Sequence, residues 1–156
     1  MIKFNKHIFV LVLLTCISSY AMADTTSYKF SKWAGSELPV FYASPSKINK
    51  ATRLVVVMHG RKRNAAEYRD QWQEAAEDLN LLVIVPEFSQ QNFPEVWGFN
   101  YGNVKTENLI SVEESLQAFS AIEPLAEEAI KKFKLRSKNW GIYGHGAGAH
   151  FVHRYA

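Results

Sequence analysis

Two apolar runs separated by a helical segment constrain the fold of this chain most. The runs cover residues 54–58 and 81–85, and each is typical of a strand buried on both faces of a sheet. Between them, Asn64 is followed by Glu67 in a capping-box pattern, which predicts the start of a helix that continues at helical spacing to about Leu79. A strand, a helix and a strand in this order predict a βαβ unit, and therefore a parallel sheet with a right-handed crossover.

The remaining segments predict further elements of the same α/β class. Residues 38–42 predict a short strand, in which Pro39 indicates either an edge or a strand start. Residues 87–112 form a long loop rich in aromatic side chains, and a loop of this length is usually functional. A second capping box at residues 120–123 predicts a helix to about Phe133. The predicted fold is a mostly parallel sheet with helices on both faces.

The first 23 residues have the pattern of a secretory signal peptide. A basic start is followed by an apolar run from about Ile8 to Ile17 and by the small-residue pattern of residues 21–23, which predicts cleavage before Asp24. The run is shorter than the roughly 20 residues that a membrane-spanning helix needs. We therefore expect an exported protein, periplasmic or secreted, with one domain over residues 24–156 and no membrane segment after cleavage. The single cysteine, Cys16, would be removed with the leader, which leaves no disulfide framework.

The charge and the histidines exclude several functions. The net charge is +3, and two of the basic residues lie in the predicted leader, so the remaining chain has no excess of charge typical of nucleic-acid binding. His150 and His153 share a helix face, but no third ligand lies near them in the sequence. We expect no metal site and no cofactor.

A glycine-rich turn at residues 144–148 is the strongest functional motif. Residues 140–143 predict a strand, the turn reads Gly-His-Gly-Ala-Gly, and a helix follows from about Ala149. A strand, a sharp turn and a helix are the setting of a nucleophile elbow, G-x-S-x-G, but here Gly146 occupies the serine position. A phosphate-binding loop and a plain tight turn are the alternatives. No Walker lysine follows and the G-x-G-x-x-G spacing fails, so the elbow is favoured.

The chain resembles an α/β-hydrolase of the exported esterase and polyester-depolymerase kind. The resemblance lies in residues 55–60, in residues 64–70, in the stretch Phe-Asn-Tyr-Gly-Asn of residues 99–103, and in residues 142–148, which occur in the order of that family. It implies acyl transfer from an ester substrate, either a small molecule or a polymer. It also implies that these residues are the N-terminal half of the fold, truncated relative to a complete hydrolase.

The resemblance also assigns roles to individual residues. The backbone N–H group of Ala147 and that of either Arg61 or Gly60 would form the oxyanion hole, and His59 would be structural. Gly146 has no hydroxyl and cannot form an acyl-enzyme. The acid and the histidine of the family follow the nucleophile in chain order, and this sequence continues for only ten residues after Gly146. We therefore expect an inactive chain.

An alternative is a non-catalytic exported module that binds a carboxylate or a polymer through the elbow and the aromatic loop. Trp97, Phe99 and Tyr101 either line a substrate cleft or pack within their loop. The basic triplet of residues 61–63 is either a solvated loop, which we favour, or a recognition element for an acidic substrate. Whether a partner chain supplies the missing half of the fold is left open by the sequence.

Overall fold

The structure is a computed structural model that describes residues 26–156. The predicted signal peptide, residues 1–23, lies outside the described residues, and its cleavage stays a prediction. Within the described range, none of the helices combines the length and the apolar character that a membrane crossing requires.

The described residues form one five-stranded sheet with the spatial order β1-β2-β4-β3-β5. Strands β3, β4 and β5 are parallel, and β3 lies between the other two. Strand β2 pairs antiparallel with both β1 and β4. The strand bounds are Ser27–Phe30 for β1, Leu38–Ala43 for β2, Arg53–Met58 for β3, Leu81–Pro86 for β4 and Trp140–Gly144 for β5.

The predicted α/β class with a parallel centre is confirmed, but the sheet as a whole is mixed. Strand β1 was not expected, because its four residues are too few to give a clear periodic signal, and it pairs along β2 through register partners such as Tyr28 and Val40. Strand β2 is therefore an interior strand, and the edge interpretation of Pro39 is wrong. The other interpretation holds, since Pro39 is the second residue of β2.

Among residues 26–156, the α-helices are α1 Ala65–Gln71, α2 Gln73–Asp78, α3 Glu95–Gly98, α4 Ile122–Lys132 and α5 Ala147–Tyr155. The first predicted helix is divided at Trp72, which separates α1 from α2. Neither predicted capping box forms. The Asn64 side chain donates to the Glu67 carboxylate at 2.5 Å and accepts no backbone N–H of the helix, and Ser120 donates to the Glu114 carbonyl oxygen.

The two faces of the sheet bury separate apolar clusters. Since alternate residues of a strand point to opposite faces, Leu54 and Val56 of β3 lie in the larger cluster with Phe151 of α5, whereas Val57 lies in the smaller cluster with Ala65 of α1. Helices α1 and α2 therefore cover one face, and α4 and α5 cover the other.

Candidate functional site at the carboxyl ends of the parallel strands

The parallel pairing of β3 and β5 brings two predicted site segments together. Met58 is the register partner of Gly144, so the loop that follows β3 and the turn that follows β5 leave the sheet side by side. A Cβ atom placed on Gly148 would lie 2.2 Å from the Met58 carbonyl oxygen. The start of α5 therefore sits directly on the end of β3, in the crevice where open α/β sheets bind ligands.

The framing glycines of the turn are required by close contacts. A Cβ atom on Gly144 would lie 2.3 Å from the carbonyl carbon of Gly148, and a Cβ on Gly148 would overlap the end of β3. Both distances are below any that real Cβ atoms adopt. The glycines at these two positions therefore allow strand and helix to approach as closely as an elbow needs.

The central residue of the turn has the backbone conformation of an elbow without its side chain. Gly146 has φ 58° and ψ −118°, a region that side chains rarely adopt and that is found at strained functional positions. The residue is exposed, and no atom lies within 4 Å of where its Cβ would be. A serine side chain would have room here, but Gly146 offers no nucleophile.

Backbone N–H groups flank this position from both segments. Ala147 is the first residue of α5, so its N–H has no acceptor within the helix. The loop after β3 is turned by a hydrogen bond from the Arg63 N–H to the Gly60 carbonyl oxygen, 3.1 Å long. A Cβ on Gly60 would lie 4.0 Å from the His145 carbonyl oxygen, which shows how close loop and elbow come. The oxyanion role of the Arg61 and Ala147 N–H groups stays a prediction.

His59 is fully buried, and both of its ring nitrogens are engaged. Its Nε2 accepts the Phe88 N–H at 3.0 Å, so the proton of the neutral ring lies on Nδ1, which is 3.1 Å from the Gly60 carbonyl oxygen. Burial, together with the charge of the nearby Arg63, lowers the pKa of His59 to about 4. The side chain is therefore neutral at pH 7. A general base needs a free nitrogen within reach of a substrate, and His59 has none, so its role is to fix the loop.

The expectation that residues 61–63 form a solvated loop is wrong for Arg63. Arg61 and Lys62 are exposed, but Arg63 is only 8% exposed. Its guanidinium donates to the carbonyl oxygens of Phe88, Phe93 and Glu95 at 3.0, 3.0 and 3.1 Å. Burial lowers the pKa of Arg63 to about 10, where it remains protonated at pH 7. Its φ of 59° is a strained conformation for a residue with a side chain.

Arg63 and His59 fasten the same segment from two sides. His59 holds the Phe88 N–H, and Arg63 holds the Phe88 carbonyl oxygen. The Phe99 ring lies 4.5 Å from the His59 ring, and its centroid lies 4.2 Å from the Arg63 guanidinium carbon. The loop that carries the predicted oxyanion donor is therefore fixed to the long aromatic loop.

The three predicted substrate-binding aromatics divide into two environments. Phe99 is fully buried and packs on His59, so it belongs to the core and does not line a cleft. Trp97 and Tyr101 stack on each other at the surface, with ring centroids 5.0 Å apart. Arg154 of α5 lies over the Tyr101 ring at 4.4 Å. Only Trp97 and Tyr101 are placed to meet a ligand.

An open groove lies beside the exposed cations of the loop after β3. Its volume is about 570 Å³, and its walls are formed by Arg61, Lys62, Arg63, Gln90, Glu95, Val96 and Asn100. The charged side chains in these walls are three cations, Arg61, Lys62 and Arg63, and one carboxylate, Glu95. The net positive charge favours the binding of anions in the groove. Among residues 26–156, no group of three or more His, Cys, Asp or Glu side chains is arranged to hold a metal ion.

Sequence reasoning missed two residues that shape this site. Arg63 was hidden in a run of three basic residues that carries no signal of burial. Tyr68 lies within the helix predicted after Asn64 and was given no role there, but its hydroxyl lies 2.9 Å from the position of a Gly60 Cβ. The roles of Arg63 and Tyr68 could not be predicted from the sequence, because Arg63 acts on Phe88 and Tyr68 lies beside Gly60 only in the folded chain.

A five-stranded sheet with a parallel centre and a glycine-framed elbow after β5 defines an α/β-hydrolase fold. The chain is similar to poly(aspartic acid) hydrolase-1 from Sphingomonas sp. KT-1, with 37% identity and a TM-score of 0.78 over 83% of this chain and 49% of that one. It is also similar to LpqC, a poly(3-hydroxybutyrate) depolymerase from Bordetella parapertussis, with 26% identity and a TM-score of 0.74 over 83% and 45% of the two chains.

The fold is shared more widely, with lower identity. An S-formylglutathione hydrolase from Agrobacterium tumefaciens matches with 22% identity and a TM-score of 0.54, over 80% of this chain and 49% of that one. No family model matches the sequence, and the curated proteins contain no match either. The chain has the α/β-hydrolase fold, and it spans about half the length of the three solved structures named here. The described residues form a partial version of that fold.

Proposed function

We propose that this chain derives from exported serine hydrolases that act by acyl transfer, and that it does not itself form an acyl-enzyme. One observation carries the proposal. Gly146 keeps the backbone conformation and the open space of a nucleophile elbow but lacks the hydroxyl that would attack an acyl carbon. The names of the two relatives with 37% and 26% identity support a polymer with ester or amide bonds as the ancestral substrate class.

The test compares two variants at position 146. Gly146→Ser restores a hydroxyl, and Gly146→Ala imposes a similar backbone strain without one, which makes it the matched control. We expect the wild-type chain to give no covalent adduct with a fluorophosphonate and no hydrolysis of p-nitrophenyl butyrate. We expect little recovery in Gly146→Ser, because His59, buried below the elbow, has both ring nitrogens engaged.

One result would contradict the proposal, and another would contradict the expected lack of recovery. One is an acyl adduct on the wild-type chain, detected by intact mass and mapped to residues 144–148. The other is turnover by Gly146→Ser at a rate ordinary for enzymes, roughly 1–1000 per second, with Gly146→Ala inactive. That second result would show that a base lies among these residues and that the loss of activity depends on one side chain.

The basic groove favours a second candidate function, which is binding of an anionic polymer without cleavage. Arg61 and Lys62 line a groove of about 570 Å³ next to the elbow, and one relative is named for poly(aspartic acid), a polyanion. We expect fluorescently labelled poly(aspartic acid) to bind, and we expect the affinity to fall as salt rises.

A matched pair of charge variants tests the groove. Arg61→Gln with Lys62→Gln should weaken binding of the labelled polymer. Lys47→Gln with Lys50→Gln removes the same charge from exposed positions before β3, at the opposite end of that strand. Equal losses in both double variants would mean that only net charge matters, and no groove-specific binding would then remain.

A further inference from the structure

The hydroxyl of Tyr68 lies at the site between the loop after β3 and the elbow. It is 2.9 Å from where a Cβ on Gly60 would be, and the same position is 4.0 Å from the His145 carbonyl oxygen. Any side chain at position 60 would collide with it. Gly60 thus leaves space that the Tyr68 hydroxyl occupies, at the point where the loop after β3 comes close to the elbow at His145.

The ring of Tyr68 is anchored so that its hydroxyl stays at this edge. Tyr68 and Trp72 both pack against the smaller apolar cluster, and Trp72 contacts Tyr143 of β5 with ring centroids 5.1 Å apart. This face of α1 is therefore fixed to the end of β5, immediately before the elbow. Tyr68 is half-buried, and within residues 26–156 its hydroxyl makes no hydrogen bond.

We propose that Tyr68 is a third hydrogen-bond donor of this site, which acts with the N–H groups of Arg61 and Ala147 on the oxygen of a bound carboxylate or acyl carbonyl. The inference rests on the proposed function, because it concerns the same elbow. Tyr68 has a phenolic hydroxyl without a hydrogen-bond partner among residues 26–156, at the loop that leads from Gly60 to Arg61, and such a group can donate to an oxygen that carries negative charge. Tyr68 contacts the ligand, and the ring below it only sets the position of the hydroxyl.

The experiment separates the hydroxyl from the ring. Butyrate is titrated into ¹⁵N-labelled protein, and amide shifts of Arg61 and Ala147 report occupancy of the site. Tyr68→Phe keeps the ring and removes the donor, and Tyr155→Phe makes the same change near the other end of α5. We expect Tyr68→Phe to bind butyrate about tenfold more weakly, with unchanged thermal stability, and Tyr155→Phe to bind as the wild type does.

Each other result overturns the inference. If Tyr68→Phe binds butyrate as tightly as the wild type while Arg61 and Ala147 still shift, the site exists and Tyr68 has no part in it. If neither amide of the wild-type protein shifts, the donor set itself is wrong. Neither result bears on the absence of an acyl-enzyme, which the variants of Gly146 decide by mass and turnover.

Discussion

Replacing Arg63 tests whether this one side chain holds the loop of the candidate site. The guanidinium reaches three carbonyl oxygens, on Phe88, Phe93 and Glu95, and two of these hydrogen bonds are buried. Methionine at position 63 has a similar stem and no donor. Arg63→Met would therefore leave three acceptors without partners in a place from which water is largely excluded.

The expected loss of stability follows from these contacts. A hydrogen bond from a charged group contributes about 1.5–3 kcal/mol, and the contact with the Phe99 ring, 4.2 Å from the guanidinium carbon, adds about 1 kcal/mol. Burial of the cation opposes these gains, as the lowered pKa of Arg63 shows. We expect Arg63→Met to lower the free energy of unfolding by about 3 kcal/mol, because each buried carbonyl oxygen left without a donor costs about 1–3 kcal/mol, and removal of the buried cation offsets part of this loss.

Urea denaturation at pH 7 measures this loss. Arg61→Met is the matched control, because Arg61 is exposed two residues away, and it should change the stability by less than about 0.5 kcal/mol. Arg63→Lys should fall between the two, because an ammonium group cannot reproduce the planar fork of donors. If Arg63→Met is less than about 1 kcal/mol below the wild type, the three hydrogen bonds do not stabilise the loop.

Three further perturbations follow from the structure. Gly148→Ala should abolish folding or lower the melting temperature strongly, because its Cβ would lie 2.2 Å from the Met58 carbonyl oxygen. Gly141→Ala is the control and should leave the melting temperature unchanged, since its Cβ would meet no atom within 4 Å. Equal melting curves for the two variants would refute the close approach of Gly148 to β3. His59 is protonated near pH 6.5 in the unfolded chain and only near pH 4 in the folded chain. The free energy of unfolding, measured by denaturation, should therefore fall by about 3 kcal/mol as the pH is lowered from 6.5 to 4, with no further loss from His59 below pH 4. A His59→Gln variant whose stability falls equally steeply with pH would contradict this. The Tyr28 hydroxyl is buried with no hydrogen-bond partner among the described residues, so Tyr28→Phe should raise stability by roughly 1 kcal/mol in the same assay, and a clear loss would mean that the hydroxyl is paired.

Much of the fold could be predicted because the apolar pattern is strong where the chain is most buried. The runs that became β3 and β4 are continuous and bounded by turn residues, and this signal depends on local sequence alone. Strand β1 was missed because four residues, Ser27–Phe30, become a strand only through pairing with β2. The predicted capping boxes do not form for a similar reason. The Ser120 hydroxyl donates to the Glu114 carbonyl oxygen, which the folded chain places nearby.

The candidate site shows the same division. The glycine spacing of residues 144–148 predicted an elbow, and the clashes that a Cβ would make at Gly144 and Gly148 give the physical reason for that spacing. Sequence also suggested that Phe99 could line a cleft. Its side chain is buried against His59, because an aromatic residue in a loop carries no mark of which way the loop folds.

The sequence by itself therefore determined the α/β class, the position of the elbow and the absence of a hydroxyl at Gly146, because strand burial, glycine spacing and side-chain identity are local properties. Only the tertiary structure decided that Arg63 is buried and that the Tyr68 hydroxyl stands beside Gly60. The burial of Arg63 and the position of the Tyr68 hydroxyl both depend on contacts that no local sequence pattern predicts. These contacts form only after the parallel strands bring the segments to one edge of the sheet.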